Sequence, residues 1–245
     1  MNDFVELAPD ATLMTSGYLK YIKWNTEKYP HMCIFGSTGS GKTFFLKIIL
    51  GRISRHVADA ELIICDFKSD EDFSFLEGSL NFYRFDQCLI GLERVVSLLK
   101  ERQFHNTDDR HPVFLVFDEW ASFINSLDKK VAEKAKQDLT LLLMLGRSFH
   151  IHVIISQQRM DSSYFNSARD NFSVIIGMGK LSKESVEMMF SEYKNIIDRN
   201  KDRGCGSVII GSELKEIIVP AVRDMNILHG AISLSCNPCP KDENR

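Results

Sequence analysis

The residues best equipped for chemistry are the run Gly36-Ser37-Thr38-Gly39-Ser40-Gly41-Lys42-Thr43, which has the make-up of a phosphate cradle. It fits the pattern G-x-x-x-x-G-K-[ST], with an apolar run before it and an apolar-striped segment after it, the context a strand–loop–helix phosphate site requires. Glycines let backbone N–H groups turn inward around an anion, and the N-terminus of the following helix adds the positive end of its dipole. Lys42 would reach the β- and γ-phosphates of ATP, and the Thr43 hydroxyl would complete the shell of a magnesium ion. The alternative, a glycine-rich turn of purely structural use, is disfavoured by that context.

Such a loop needs an acidic partner, and Val113-Phe-Leu-Val-Phe-Asp118-Glu119 supplies one: five apolar residues of a buried strand, then two carboxylates at its C-terminal end. Ligands of open α/β sheets collect at that edge. Asp118 is placed to hold Mg2+ through water, and Glu119 to polarise the attacking water as general base. Acids also close strands as simple solvated caps; the order of the two motifs favours the functional reading.

The elements that must position these groups follow from the hydrophobic pattern. Apolar, β-branched runs at 32–35, 61–66, 81–85, 113–117, 151–156, 173–177, 207–211 and 216–219 alternate with helical stripes at 42–55, 88–102, 130–145 and 183–198. That alternation predicts an α/β fold with a mostly parallel twisted sheet flanked by helices. The last two strands read as an antiparallel hairpin at its C-terminal side. No linker cuts the chain, so residues 1–29 are expected as a lead-in packing on the core, 30–222 as the core and 223–245 as a tail.

The balance of 44% hydrophobic and 26% charged residues, with a net charge of −3 over 245 residues, excludes collagen, coiled coil and wholesale disorder. Slight acidity argues against coating nucleic acid over a whole face, and leaves room for a few cations in one groove. No apolar run approaches the roughly 18 residues of a membrane span, and the N-terminus lacks a basic start, so a cytoplasmic chain without direct membrane insertion is expected. Of six cysteines, Cys236 and Cys239 have metal-knuckle spacing, but no second pair follows and a plain tail is favoured.

Pro30-His31 and the strand and loop after it resemble the entry of the FtsK/SpoIIIE family of DNA-pumping motors. The similarity runs in order along most of the chain. Asp66-Phe67-Lys68 looks like that family's Asp-Pro-Lys, Phe117-Asp118-Glu119 like its acidic strand end, and the passage from Leu145-Gly-Arg147 to Gln157-Gln158-Arg159 like its Leu-Gly-Arg, Gly-Ile-His, Thr-Gln-Arg-Pro. Arg169-Asp-Asn171 resembles its Lys-Ala-Asn, and Gly204-Cys-Gly206 its late Gly-x-Gly. Departures are Phe67 and Met160, each where the family has proline, and Phe149-His150, where it has small residues and glycine.

The resemblance implies a RecA-like P-loop NTPase core that assembles as a hexamer and drives double-stranded DNA through its pore using ATP. Gln158 falls at the family's γ-phosphate sensor and Arg147 on its Gly-Arg, where an arginine could act in trans on a neighbour's nucleotide; capping its own helix is the alternative, and Arg159 and Arg169 are rivals. Without a membrane segment or sequence-reading module, the chain is expected to serve a plasmid or mobile element, in conjugative transfer or DNA mobilisation, with a relaxase or a separate membrane channel protein as candidate partners. The rivals are a secretion-type ATPase acting on protein and a non-enzymatic nucleotide-gated adaptor. Lys68 is read as a solvated lysine in preference to a DNA-phosphate contact or a place lining the nucleotide site, His31, His150 and His152 are assigned no metal, His111 is read as loop surface, and Trp24, Tyr18 and Tyr21 either form a structural aromatic cluster or pack on adenine.

Overall fold

The structure, a computed structural model, describes residues 4–105, 110–165 and 168–238. Two antiparallel strands, β1 (Phe4–Pro9) and β2 (Tyr21–Asn25), flank a short helix α1 (Ala11–Thr15). Then come β3 (His31–Gly36), α2 (Lys42–His56), β4 (Glu61–Asp66), β5 (Phe82–Arg84), α3 (Cys88–Phe104), β6 (Val113–Asp118), α4 (Trp120–Ser126), α5 (Lys129–Leu145) and β7 (Ile151–Gln157). The chain continues through β8 (Val174–Met178), α6 (Lys183–Met189), β9 (Cys205–Ile210), β10 (Glu213–Ile218) and α7 (Met225–Cys236).

The main sheet has eight strands in the order β10-β9-β8-β3-β7-β6-β4-β5. It is parallel from β8 to β5, and β9 and β10 close it as an antiparallel hairpin. Strands β3, β4, β6 and β7 are buried along their whole length, which is why they read as apolar runs without alternation. Alternate residues serve opposite faces: Met32 and Ile34 pack with α2 and α7, whereas Cys33 and Phe35 pack with α3, α5 and α6. Burying each large apolar side chain contributes about 1.5–3 kcal/mol.

Three elements differ from the sequence expectation. Residues 4–25 form a small sheet of their own, with Val5, Leu7, Ile22 and Trp24 in the core against α2. Trp24 donates its indole N–H to Tyr29 O at 2.7 Å and meets Phe114 edge-on, which makes it structural. The helix expected over 183–198 stops at Met189, because Phe190 turns into the core against Phe35 and Leu181 N donates to Arg199 O at 2.9 Å. A helix of the expected length would rise about 24 Å and carry residue 198 away from that pairing.

Residues 225–236, expected as tail, form α7, which packs on α2 where Gly51 permits it: a Cβ there would lie 2.8 Å from Leu228. Cys236, its last residue, is buried, and Cys239 lies outside the described residues. Among the described residues no helix is long and apolar enough to cross a membrane.

Candidate nucleotide site

The glycine-rich loop leaves the C-terminal end of β3 at the middle of the sheet. Gly36 makes that exit possible: its φ is 153°, and a Cβ would stand 2.1 Å from Met178 O. The loop then tightens through Ser40 N to Ser37 O at 3.2 Å, and Gly204 N donates to Ser40 O at 3.0 Å, clamping it to the turn before β9. Gly41, at φ 98°, hands the chain to α2, whose N-terminus has neither a side-chain cap nor an acid in its first turn. A helix end so left presents its N–H groups and dipole to an anion. Lys42 Nζ lies back along the loop, donating to Gly36 O at 2.8 Å and Ser37 O at 3.1 Å.

The sheet order brings the other groups to this point. Strand β7 lies between β3 and β6, so Gln158, one residue beyond β7, stands between the loop and the Asp118-Glu119 pair. Gln157 is fully buried and donates its amide to Arg159 O at 2.6 Å and to the Met160 sulfur at 3.2 Å, which braces the turn that presents Gln158. Met160 thus has a partner of its own where the resembled family has proline. Lys42, Thr43, Asp118, Glu119 and Gln158 all line one cavity of about 230 Å³.

Burial dominates the electrostatics. Asp118 is pushed up to about 7 by loss of water, with the charges of Glu119 and Asp66 adding to the shift and that of Lys42 opposing it. Glu119 is raised by burial and partly brought back by Lys42 and the Gln158 amide. Lys42 is lowered by burial, against the pull of both carboxylates. Two acids and one ammonium therefore share a site where none is comfortably charged, the condition that bound phosphate and a divalent cation would relieve. Glu119 sits in the left-handed region at φ 61°, its N–H donating to Ser156 O at 2.7 Å. Holding a non-glycine residue there costs on the order of 1 kcal/mol, and such strain gathers at functional sites.

Two further cations line this cavity, one weighed from the sequence and set aside as solvated, the other not singled out. Lys68, expected in solvent, lines it and pairs with Asp70. The loop carrying it is pinned from both sides: Asp66 Oδ1 accepts Ser69 N at 3.0 Å, and Arg84 donates to Ser69 O at 2.8 Å. Asp66 itself faces Asp118 across the β4–β6 register and is fully buried. Arg203 reaches the same cavity from the turn clamped to Ser40; the only sequence signal was its place beside the Gly204-Cys-Gly206 motif.

The remaining arginines separate. Arg147 is exposed in the turn between α5 and β7, at the N-terminal edge of the parallel strands, and so lies across the sheet from its own chain's phosphate loop. Arg159 lines a second cavity beside the loop, and Arg169 pairs with Asp170. His150, where the resembled family has glycine, adopts φ 52°. Phe67, where it has proline, stacks on Phe85 and meets Phe123.

Comparison with known proteins places this geometry. Residues 21–139 match the family description "Helicase HerA, central domain". The FtsK domain-containing protein YdcQ of Bacillus subtilis (strain 168) is 30% identical over 211 residues, 79% of this chain and 43% of that protein. Among solved structures, the conjugation coupling protein TcpA of pCW3, in a monomer form with ATPγS, superposes with a TM-score of 0.66 at 18% identity over 89% of this chain and 66% of that one. The cytoplasmic domain of the type VII secretion ATPase EccC from Thermomonospora curvata gives 0.68 at 16% identity, over 94% and 31%. EssC (ATPases 2 and 3) from Geobacillus thermodenitrificans gives 0.70 at 13%, over 96% and 48%. The chain thus spans less than half of its curated relative, and the likeness to the solved structures is one of fold. Taken with a phosphate loop and an acidic strand end set on either side of a glutamine-bearing strand, these matches support an FtsK/HerA-type ATPase.

Proposed function

We propose that this chain is the ATP-hydrolysing core of a motor that moves double-stranded DNA, working as a hexameric ring for a plasmid or mobile element. The observation that carries the reading is the convergence of Lys42, Thr43, Asp118, Glu119 and Gln158 on one cavity from three different strands. The loop amides and Lys42 bind the phosphates. Thr43 and Asp118 are the residues that would hold Mg2+, which when bound neutralises charge developing on the phosphoryl oxygens.

Glu119 takes a proton from a water that attacks the γ-phosphorus, the bond to the β-phosphate oxygen breaks with its electrons going to ADP, and inorganic phosphate forms. Gln158, between the loop and Glu119, orients that water and registers the loss of the γ-phosphate. Arg147, facing away from its own nucleotide, completes a neighbour's site in the ring, where its guanidinium stabilises the transferred phosphoryl group. The match to an FtsK-domain relative favours DNA as the cargo; the fold likeness to EccC and EssC supports protein as the second reading.

Steady-state ATP turnover with and without duplex DNA tests the proposal. Duplex should raise turnover, Lys42→Ala should abolish nucleotide binding, and Glu119→Gln should lower turnover about 10²- to 10⁴-fold while MgATP still binds. Turnover indifferent to DNA but raised by a secreted protein substrate would favour the second reading, and full activity in Glu119→Gln would remove the role given to that residue.

A further inference from the structure

We propose a second anion site in this protein, for the inorganic phosphate cut from ATP, in a recess beside the phosphate loop that adjoins the nucleotide cavity; it rests on the ATP reading above. A cavity of about 280 Å³ lies there, lined by Ser37 and Thr38 beyond β3, by Gln158 and Arg159 beyond β7 and by Lys180 and Ser182 beyond β8, the two strands that flank β3. Thr38 and Gln158 also line the nucleotide cavity, so the two spaces adjoin at these residues.

The charge of the second cavity is one-sided. No carboxylate lines it, and among the described residues neither Arg159 nor Lys180 forms an ion pair. Glu184, an exposed residue in the first turn of α6, does not line the cavity. Two cations and several hydroxyls facing one recess suit a small oxyanion. The same charge opposes a neighbour's arginine, so this recess is not where a trans-acting guanidinium docks.

The consequence is an order of product release. Phosphate formed beside Thr38 and Gln158 passes into the second cavity while ADP still covers the loop, and a shift of Gln158 opens and closes the passage. Chemistry and the sensor residue are thereby linked to a departing ion rather than only to the bound nucleotide.

The test is a titration of inorganic phosphate onto the full chain saturated with MgADP, by calorimetry, for the parent and three variants. Arg159→Ala/Lys180→Ala removes the two exposed cations. Ser182→Asp puts an anion in the recess while keeping a side chain able to cap α6, since Ser182 accepts Ser185 N in that role. Lys183→Ala removes a nearby lysine that pairs with Glu187 and does not line the cavity.

Phosphate should bind the ADP-loaded parent and Lys183→Ala alike, and bind the double variant and Ser182→Asp about tenfold more weakly or worse. Equal binding by all four, or equal loss in Lys183→Ala, overturns the site. So does a double variant that keeps phosphate but loses affinity for duplex DNA, which would assign these cations to the nucleic acid backbone. Failure of the parent to bind MgADP overturns the ATP reading as well, whereas MgADP binding without a phosphate site overturns this inference alone.

Discussion

Asp118 is a carboxyl group that the folded chain holds under strain. Its value of about 7, against 3.8 for the unfolded residue, means that the folded protein binds a proton between those pH values that the unfolded chain does not. Stability contributed by this group therefore rises as pH falls through 7, and above 7 the buried charge is a net penalty. Asp118→Asn should stabilise the fold at pH 8 by roughly 2 kcal/mol, which raises the melting temperature by about 4–8 °C for a chain of this size, while ATP turnover is lost. Differential scanning calorimetry beside a turnover assay checks both halves; an unchanged or lower melting temperature would show that the carboxylate is not destabilising. Such opposition between stability and activity is expected of a site that keeps charge ready for a cation.

Two histidines at the other end of the strands carry the opposite sign. His31 is lowered to about 4 and His152 to about 3 by burial, His31 Nδ1 accepting Val153 N at 3.1 Å and His152 stacking on Phe114. The unfolded chain takes up protons near 6.5 that the folded one refuses, so stability is complete above about 6.5 and falls as pH drops toward 4. Each imidazole steepens that fall by up to about 1.4 kcal/mol per pH unit. Asp118 offsets part of it in the same window. Urea melts between pH 7 and 5 should be steeper in Asp118→Asn than in the parent and shallower in His152→Gln; identical slopes in all three would refute the assignment of these buried groups.

At the scale of elements, the site depends on close approaches that no side chain can survive. A Cβ on Gly36 would collide with Met178 O, and the φ there is closed to other residues, so Gly36→Ala must push β3 and β8 apart. We expect a loss of at least about 2 kcal/mol and no measurable MgATP binding, read by thermal melts and nucleotide titration. Gly51→Val should act differently. It wedges α7 from α2, lowering stability by about 1–3 kcal/mol through Leu228 while leaving nucleotide affinity near the parent's, since that contact lies on the helix away from its phosphate-binding end. If Gly51→Val abolished binding too, α7 would have to be counted among the elements that shape the site.

The helices that frame the loop were visible as apolar stripes. The end of α6 was not, because Phe190 continues the helical pattern and is diverted only by the pocket that Phe35 offers across the sheet. The segment at 4–25 was equally hidden. Its strands are short, and what makes them strands is the surface of α2 and the edge of β10, with Arg52 donating to Glu6 O and Leu7 O and Asp10 bridging to Ile217.

For the whole molecule, the informative fact is that Arg147 and the phosphate loop occupy opposite edges of one sheet. A chain so arranged cannot bring its own Arg147 to its own nucleotide. If Arg147 acts in a neighbour's site, Lys42→Ala and Arg147→Ala subunits are each inactive alone, and mixing them restores turnover, because some interfaces then join an intact loop to an intact arginine. Turnover assays at varying ratios, with the oligomer followed by light scattering, check this. No recovery at any ratio, or an active Arg147→Ala protein, would return Arg147 to a merely local role at the end of α5. If duplex DNA is the cargo, its binding should weaken steeply with salt and little with sequence, as for a few cations that grip the backbone on a chain whose net charge is −3.

What the sequence determined by itself was the local chemistry. The loop at 36–43, the acids at 118 and 119 and the strands that carry them are each specified by neighbours along the chain: glycines, a lysine and hydroxyl, and unbroken apolar runs. What only the tertiary structure decided was which distant residues share that chemistry. Lys68 and Arg203 line the cavity at the glycine-rich loop, Arg147 stands at the opposite edge of the sheet, and Arg159 and Lys180 line an adjoining recess, because strand order and burial rather than spacing set those meetings. Polar side chains at strand ends look alike in a sequence; the sheet gives each of them an edge, and the edge fixes what it can touch.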